Sequence, residues 1–155
     1  MPDIDLKITP LMIKVTLESV PDRPGVAAEV FSFLGEQGIN VELLSTIPTA
    51  KGRGDVRFAV PEQDLARLTK LLDNLKASIG ARKVDTETGA SLLSLYGEGL
   101  SADPNLTSKI FKALAGDGIN IQMISQSVNA VSFLIERSKL DRARSVLQSL
   151  NIREV

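Results

Sequence analysis

Ile13, Val15 and Leu17 alternate with Lys14, Thr16 and Glu18, the period of a half-buried strand. After the turn-forming run Pro-Asp-Arg-Pro-Gly (residues 21–25) the period lengthens. Val26, Ala27, Val30, Phe31 and Leu34 fall on one helical stripe. Pro24 suits the first position of that helix, where a missing N–H costs nothing. Gly38 suits the left-handed conformation that ends it. Residues 41–47 and 56–60 read as a second and a third strand. Pro61 is expected to open a second helix, with Leu65, Leu68, Leu71, Leu72 and Leu75 on one face. Residues 81–85 read as a fourth strand. Strand, helix, strand, strand, helix, strand is the ferredoxin-like βαββαβ order. It belongs to the α+β class, with an antiparallel sheet and both helices on one face.

The pattern then returns. Phe31, Leu34, the run Gly38-Ile39-Asn40 and Ser45 recur 80 residues later as Phe111, Leu114, Gly118-Ile119-Asn120 and Ser125. Val56, Phe58 and Val60 recur at an offset of 75 as Val131, Phe133 and Ile135. The offset changes inside Pro-Thr-Ala-Lys-Gly-Arg-Gly (residues 48–54), so the first copy has a five-residue longer loop there. Loops accept insertions cheaply. A repeat of this length fixes architecture before any single motif does. It predicts two units, 12–88 and 89–155, packed side by side. Residues 1–11 have no counterpart in the repeat and are expected to supply or extend an edge strand of the second unit. Only residues 151–155 follow the last helix, so the closing strand there is expected to be short. In Leu43-Leu44 and Met123-Ile124 both strand faces are apolar. Exposed apolar rows on a sheet invite pairing, which predicts a homodimer; irregular burial within one unit is the alternative.

Composition narrows the function. Apolar residues make up 43% of the 155, ordinary for a globular protein, and the net charge is -1 with no basic block. Nothing here suits a nucleic-acid backbone. No apolar run reaches membrane length and no signal peptide opens the chain, so a cytoplasmic location is expected. Cysteine and histidine are both absent. That removes thiol nucleophiles, the commonest general base and the commonest metal ligands. No catalytic residue, metal site or cofactor is predicted. An RNA-binding module would share the strand order, but needs stacking aromatics on its central strands. Only Phe58 and Phe133 lie there, on the stripe expected to face the helices.

Val-Pro-Asp-Arg-Pro-Gly-Val-Ala-Ala (residues 20–28), followed by a helix ending in Gly-Ile-Asn and then a strand, resembles the ACT domain. The tandem arrangement, with Gly-Ile-Asn-Ile-Gln-Met-Ile-Ser at 118–125, resembles the regulatory half of aspartokinase. The resemblance covers about residues 12–150. It implies a non-catalytic regulatory module that binds an amino acid, lysine or threonine, at ACT–ACT interfaces and dimerises through its sheets. The role implied is allosteric feedback control in amino-acid biosynthesis, read out by a kinase catalytic subunit. Some aspartokinases make this half as a separate small subunit, which this chain resembles in length. A structural dimerisation module and a stand-alone amino-acid sensor are the alternatives.

An amino-acid ligand presents a carboxylate and an ammonium. A helix N-terminus offers free N–H groups and partial positive charge, so the amides of Val26 and Ala27 are the expected carboxylate donors. Pro24 begins the helix, and Gly25 is expected to let the ligand approach the backbone closely. Asp22 and Glu42 are charged acceptors for the ammonium, Asn40 a neutral one, and Val41 lies between the last two. Asn120, Ile121, Gln122 and Ser127 of the second copy are candidates for a facing wall. Each also has a plain structural reading. Asp22 can satisfy turn amides, Asn40 can sit in a turn, and Glu42 can be a solvated strand residue. The second copy has Ala102, Asn105 and Gln122 where the first has Asp22, Gly25 and Glu42, so the 22–27 loop is the expected main site. Asp103 is expected as an N-cap before Pro104.

Overall fold

The computed structural model describes residues 3–155. Residues 1 and 2, which the expectation of an N-terminal edge strand includes, lie outside the described residues. The chain divides into two compact units. One comprises Met12–Thr88; the other joins the residues up to Leu11 to Gly89–Val155.

The first unit runs β1 (Asp5–Pro21, from Met12 onward), α1 (Val26–Glu36), β2 (Leu43–Ala50), β3 (Arg53–Pro61), α2 (Leu65–Ile79) and β4 (Lys83–Tyr96, up to Thr88). Its strand order is β2-β3-β1-β4. β1 and β3 are antiparallel with Val15 opposite Phe58 and Ile13 opposite Val60. That register puts Ile13, Val15, Leu17, Val56, Phe58 and Val60 on one face. They pack with Val26, Val30 and Leu34 of α1 and Leu68, Leu75 and Ile79 of α2.

The second unit continues with β4 from Gly89, a short α3 (Gly99–Ala102), α4 (Leu106–Gly116), β5 (Met123–Gln126), β6 (Ala130–Glu136), α5 (Leu140–Ser149) and β7 (Arg153–Glu154). Its order is β5-β6-β4-β1, with β7 pairing β1 in parallel at Asp5 and Leu6. Leu93 stands opposite Phe133. Phe133, Leu93, Leu95, Val131 and Ile135 pack with Ile110, Leu114, Ala143 and Leu147, and with Ile4 and Leu6 from the N-terminal segment. Beside β4, that segment fills the place that β4 itself fills beside β1 in the first unit. The first unit is thus a βαββαβ fold, and the second has the same order with the N-terminal segment as an added strand and the parallel β7–β1 pair at its end.

Both helix ends built by the repeat behave alike. Gly38 and Gly118 take φ of 74° and 77°. The amides of Ile39 and Ile119 donate back to Leu34 and Leu114, and both isoleucines are buried. This is the left-handed cap that closes a helix with a hydrophobic contact beyond it.

Several boundaries differ from the sequence expectation. Pro24 is not in the helix; α1 starts at Val26 with Gly25 as its cap, in the left-handed region at φ 92°. Pro61 ends β3 instead of opening α2, and a 3-10 turn over Glu62–Asp64 intervenes. β2 begins at Leu43, not at residue 41. β1 and β4 run far beyond their alternating stretches because each supplies strand to both units. Asp103 is not the cap of α4; Asn105 is, and the Asp103 side chain accepts the Asn105 amide at 2.9 Å in the preceding turn. Phe31 stands off the buried stripe and is 47% exposed, because it lies one residue, about 100°, around the helix from Val30. Its repeat mate Phe111 instead packs edge-on against Phe133, ring centres 5.2 Å apart. Leu44 packs against the core of its own unit, whereas Ile124 is 51% exposed. Among the described residues no helix is long and apolar enough to cross a membrane.

Two stability predictions follow from this packing. A Cβ on Gly97 would lie 2.1 Å from the Asp3 carbonyl oxygen, at φ 151°, whereas one on Gly25 meets nothing within 4 Å. Gly97→Ala should cost more than about 2 kcal/mol, against about 1 kcal/mol of conformational strain for Gly25→Ala, read by urea unfolding. Leu6, 1% exposed, belongs to the core of the second unit. Leu6→Ala should cost about 2–5 kcal/mol. In hydrogen exchange the lost protection should fall on Gly89–Val155 more than on Met12–Thr88.

Candidate functional site

The first unit carries a cavity of about 270 Å³ bounded by three pieces of chain. The end of β1 and its turn contribute Val20, Pro21, Asp22 and Arg23; the start of α1 contributes Gly25, Val26 and Ala27. The β2–β3 hairpin contributes Thr46, Ile47 and Pro48, then Arg53, Gly54, Asp55 and Val56. That hairpin is where the longer loop of the first copy lies. Gly54 keeps it closed: a Cβ there would approach the Ile47 carbonyl oxygen to 2.8 Å.

The local chemistry explains how this wall is held. β1 breaks register between Leu17 and Val20, and Ser19 sits in the left-handed region at φ 54°. A serine there is uncommon and is fixed from outside. Its amide donates to Asp55 Oδ1 at 3.0 Å, and its hydroxyl accepts from Arg53 Nε at 2.6 Å. Arg53 Nη2 donates to the Ser19 carbonyl, and to the Gly80 carbonyl at 3.1 Å. The Asp22 amide donates to the Gly52 carbonyl at 2.9 Å, tying the turn to the hairpin.

Arg23 and Glu29 form a bidentate pair at 2.8 and 2.7 Å across the start of α1. The hydrogen bond from Arg23 holds the Glu29 carboxyl below its ordinary range, and Glu29 raises the guanidinium in turn. Both groups are solvent-exposed, so the pair orders the turn more than it stabilises the fold. The helix start itself has no side-chain cap. The Asp22 carboxylate has no side-chain partner among the described residues.

Of the residues singled out from sequence, Asp22, Gly25, Val26 and Ala27 line this cavity; Pro24 lies in the same turn without lining it. A Cβ on Gly25 would meet no protein atom within 4 Å, and the glycine takes the left-handed φ of 92°. Asn40, Val41 and Glu42 do not line the cavity. Val41 packs against the core, and the Glu42 amide pairs with the Ala59 carbonyl. Asn120, Ile121, Gln122 and Ser127 belong to the other unit. There Ile121 packs on the core, the Gln122 amide donates to Leu134, and the Ser127 amide to Ala130. Sequence reasoning missed Ser19, Arg53 and Asp55 as a group. The one available signal was the longer loop that contains Arg53.

The second unit has a cavity of about 430 Å³ between the start of α4 and the end of α5, lined by Asp103, Leu106, Lys109 and Asn151 among others. It has no counterpart of the hairpin wall.

Two models of the ACT domain match the chain, one over residues 15–80 and one over 93–149. An aspartokinase of Mycolicibacterium smegmatis is 36% identical over 136 residues, which is 86% of this chain and 32% of that protein. The chain therefore spans about a third of the length of the curated relatives it matches. A crystal structure of aspartokinase alpha and beta subunits is 30% identical with a TM-score of 0.83, covering 96% of this chain and 98% of that one. The ligand-free regulatory subunit of aspartate kinase from Thermus thermophilus is 29% identical with a TM-score of 0.81, covering 92% and 95%. Two domain matches and near end-to-end structural likeness place this chain in the ACT-domain family, as a tandem pair similar to the regulatory subunit of aspartokinase.

Proposed function

We propose that this chain is a non-catalytic regulatory module. It binds a small amino acid in the first-unit cavity and passes that occupancy to an aspartokinase-type catalytic partner. The observation that carries the reading is the convergence at that cavity. A helix start without a side-chain cap, an Asp22 carboxylate with no side-chain partner among the described residues and a clamped arginine meet on one cleft in a member of the ACT family. The volume, about 270 Å³, is near the lower end of small-molecule sites and suits a single amino acid. Opposite charges on the lining match a zwitterion. The family likeness favours lysine or threonine as that ligand. A ligand that prefers one of two arrangements shifts the balance between them, with a coupling of about 1–3 kcal/mol in typical cases. The exposed side chains Ile47 (38%) and Ile124 (51%) lie on the outer strands β2 and β5. They support association with a second copy.

Binding is tested by thermal unfolding of the chain with each proteinogenic amino acid. At a hundredfold excess over Kd, a bound amino acid adds about 2.7 kcal/mol of stability. Asp22→Ala should remove most of that gain while leaving the unliganded transition in place. No shift with any amino acid at millimolar concentration would overturn the reading and leave a purely structural dimerisation module. Association is tested by light scattering at micromolar concentration, where a dimer is expected. Ile124→Lys should weaken it about tenfold or more, since a buried apolar contact is replaced by a charge. A monomeric wild-type chain would refute the dimer.

A further inference from the structure

We propose that Arg53 is the residue that takes the ligand carboxylate, and that Ser19 and Asp55 exist to hold it there. The inference rests on the amino-acid-binding reading of the first-unit cavity and assigns one contact within it.

Three features point to Arg53. The first is its geometry. Nε and Nη2 are occupied by the Ser19 hydroxyl, the Ser19 carbonyl and the Gly80 carbonyl. Nη1 has no partner among the described residues, and Arg53 lines the cavity. A guanidinium fixed on two nitrogens presents its third with little entropy left to lose, which suits a planar carboxylate. The other arginine on the lining, Arg23, is engaged by Glu29 through both terminal nitrogens.

The second is backbone strain. Ser19 is held at φ 54°, and the two groups that hold it are Asp55 and Arg53. Left-handed non-glycine residues persist only where their surroundings fix them, and they cluster at ligand sites. Here the bond network that fixes Ser19 is the one that immobilises Arg53.

The third is the repeat. The strand registers set Leu17 opposite Val56 and Leu95 opposite Val131, so Ser19 corresponds to Gly97; at the offset of 75, Arg53 and Asp55 correspond to Val128 and Ala130. All three members of the clamp are missing together from the second unit, and so is the longer loop that carries Arg53. Val128 is 74% exposed and joins nothing comparable. A clamp needed only to hold the ferredoxin-like fold would be needed by both units; this one accompanies the first-unit cavity.

The competing donors are the amides at the start of α1. They are neutral, whereas the guanidinium sets a full positive charge against the carboxylate. With the carboxylate on Arg53, the Asp22 carboxylate is left for the ammonium, so both ligand charges are met by opposite charges.

The test is a double cycle by isothermal titration calorimetry on the whole chain. Lysine and threonine are compared with lysinamide and threoninamide, in which the carboxylate is replaced by a neutral amide. Each is titrated into wild type, Arg53→Ala and Arg53→Lys, with thermal unfolding run on every variant. In wild type the acid should bind about tenfold or more tighter than its amide. In Arg53→Ala that preference should vanish, the acid falling to the level of the amide and the amide changing little. Arg53→Lys keeps the charge without the fork and should retain an intermediate preference. If Arg53→Ala loses its fold, Arg53→Gln carries the same comparison. A full acid-over-amide preference in the alanine or glutamine variant overturns the assignment and returns the carboxylate to α1. Failure of wild type to bind either acid overturns the amino-acid reading itself, and this assignment with it.

Discussion

A strand that buries one face has no freedom of register, and the whole molecule follows from that constraint. With Val15 opposite Phe58, alternate residues of β1 and β3 all point toward the helices. A slip of one residue would turn Lys14, Thr16 and Arg57 inward and the aliphatic set outward. The same holds with Leu93 opposite Phe133. Once the registers are set, the helices must lie on the apolar face. The β1–α1 turn and the β2–β3 hairpin then fall at one end of the first-unit sheet, and the cavity forms where they meet. The site is a product of register before it is a product of any side chain.

What could be read from the chain follows the range of the interactions involved. The element order, the doubling of the fold and the caps at Gly38 and Gly118 depend on neighbours within a few residues, and local pattern carries them. So does the loop from Asp22 to Ala27, punctuated by proline and glycine. The clamp is different. Ser19 meets Arg53 and Asp55 across 34 and 36 residues, through a register break that no periodicity announces. A serine in an alternating strand looks like a surface residue. Only the folded hairpin shows that its backbone is left-handed and its polar groups are spoken for. Asn40, Val41 and Glu42 illustrate the reverse case. They lie near the helix in sequence but do not line the cavity; Val41 packs on the core and the Glu42 amide pairs with Ala59.

The two copies show how a repeated fold diverges in its loops while keeping its element order. Their sheets, helix caps and apolar stripes are nearly interchangeable. Their differences concentrate in the segment between β2 and β3 and in the turn before the first helix of each unit. These places tolerate change because their backbone is solvated and their contribution to the core is small. In the first unit that tolerance is used for a clamp and a cleft. In the second, the corresponding turn is closed by the Asp103 side chain and a short helical segment.

The contribution of residues up to Leu11 to the second unit has a kinetic consequence. That unit is discontinuous in sequence, with the entire first unit inserted between its first strand and the rest. Met12–Thr88 can collapse as soon as it leaves the ribosome, since all its partners are close in sequence. The segment carrying Ile4 and Leu6 must wait, its apolar side chains uncovered, until residues beyond 89 have emerged. The second unit therefore has much the higher contact order and should be the slower to fold. Its vulnerable intermediate is an open sheet lacking the N-terminal strand, a shape that a strand from another molecule can complete. Exchange of that strand between chains is the misassembly to which this architecture is most exposed.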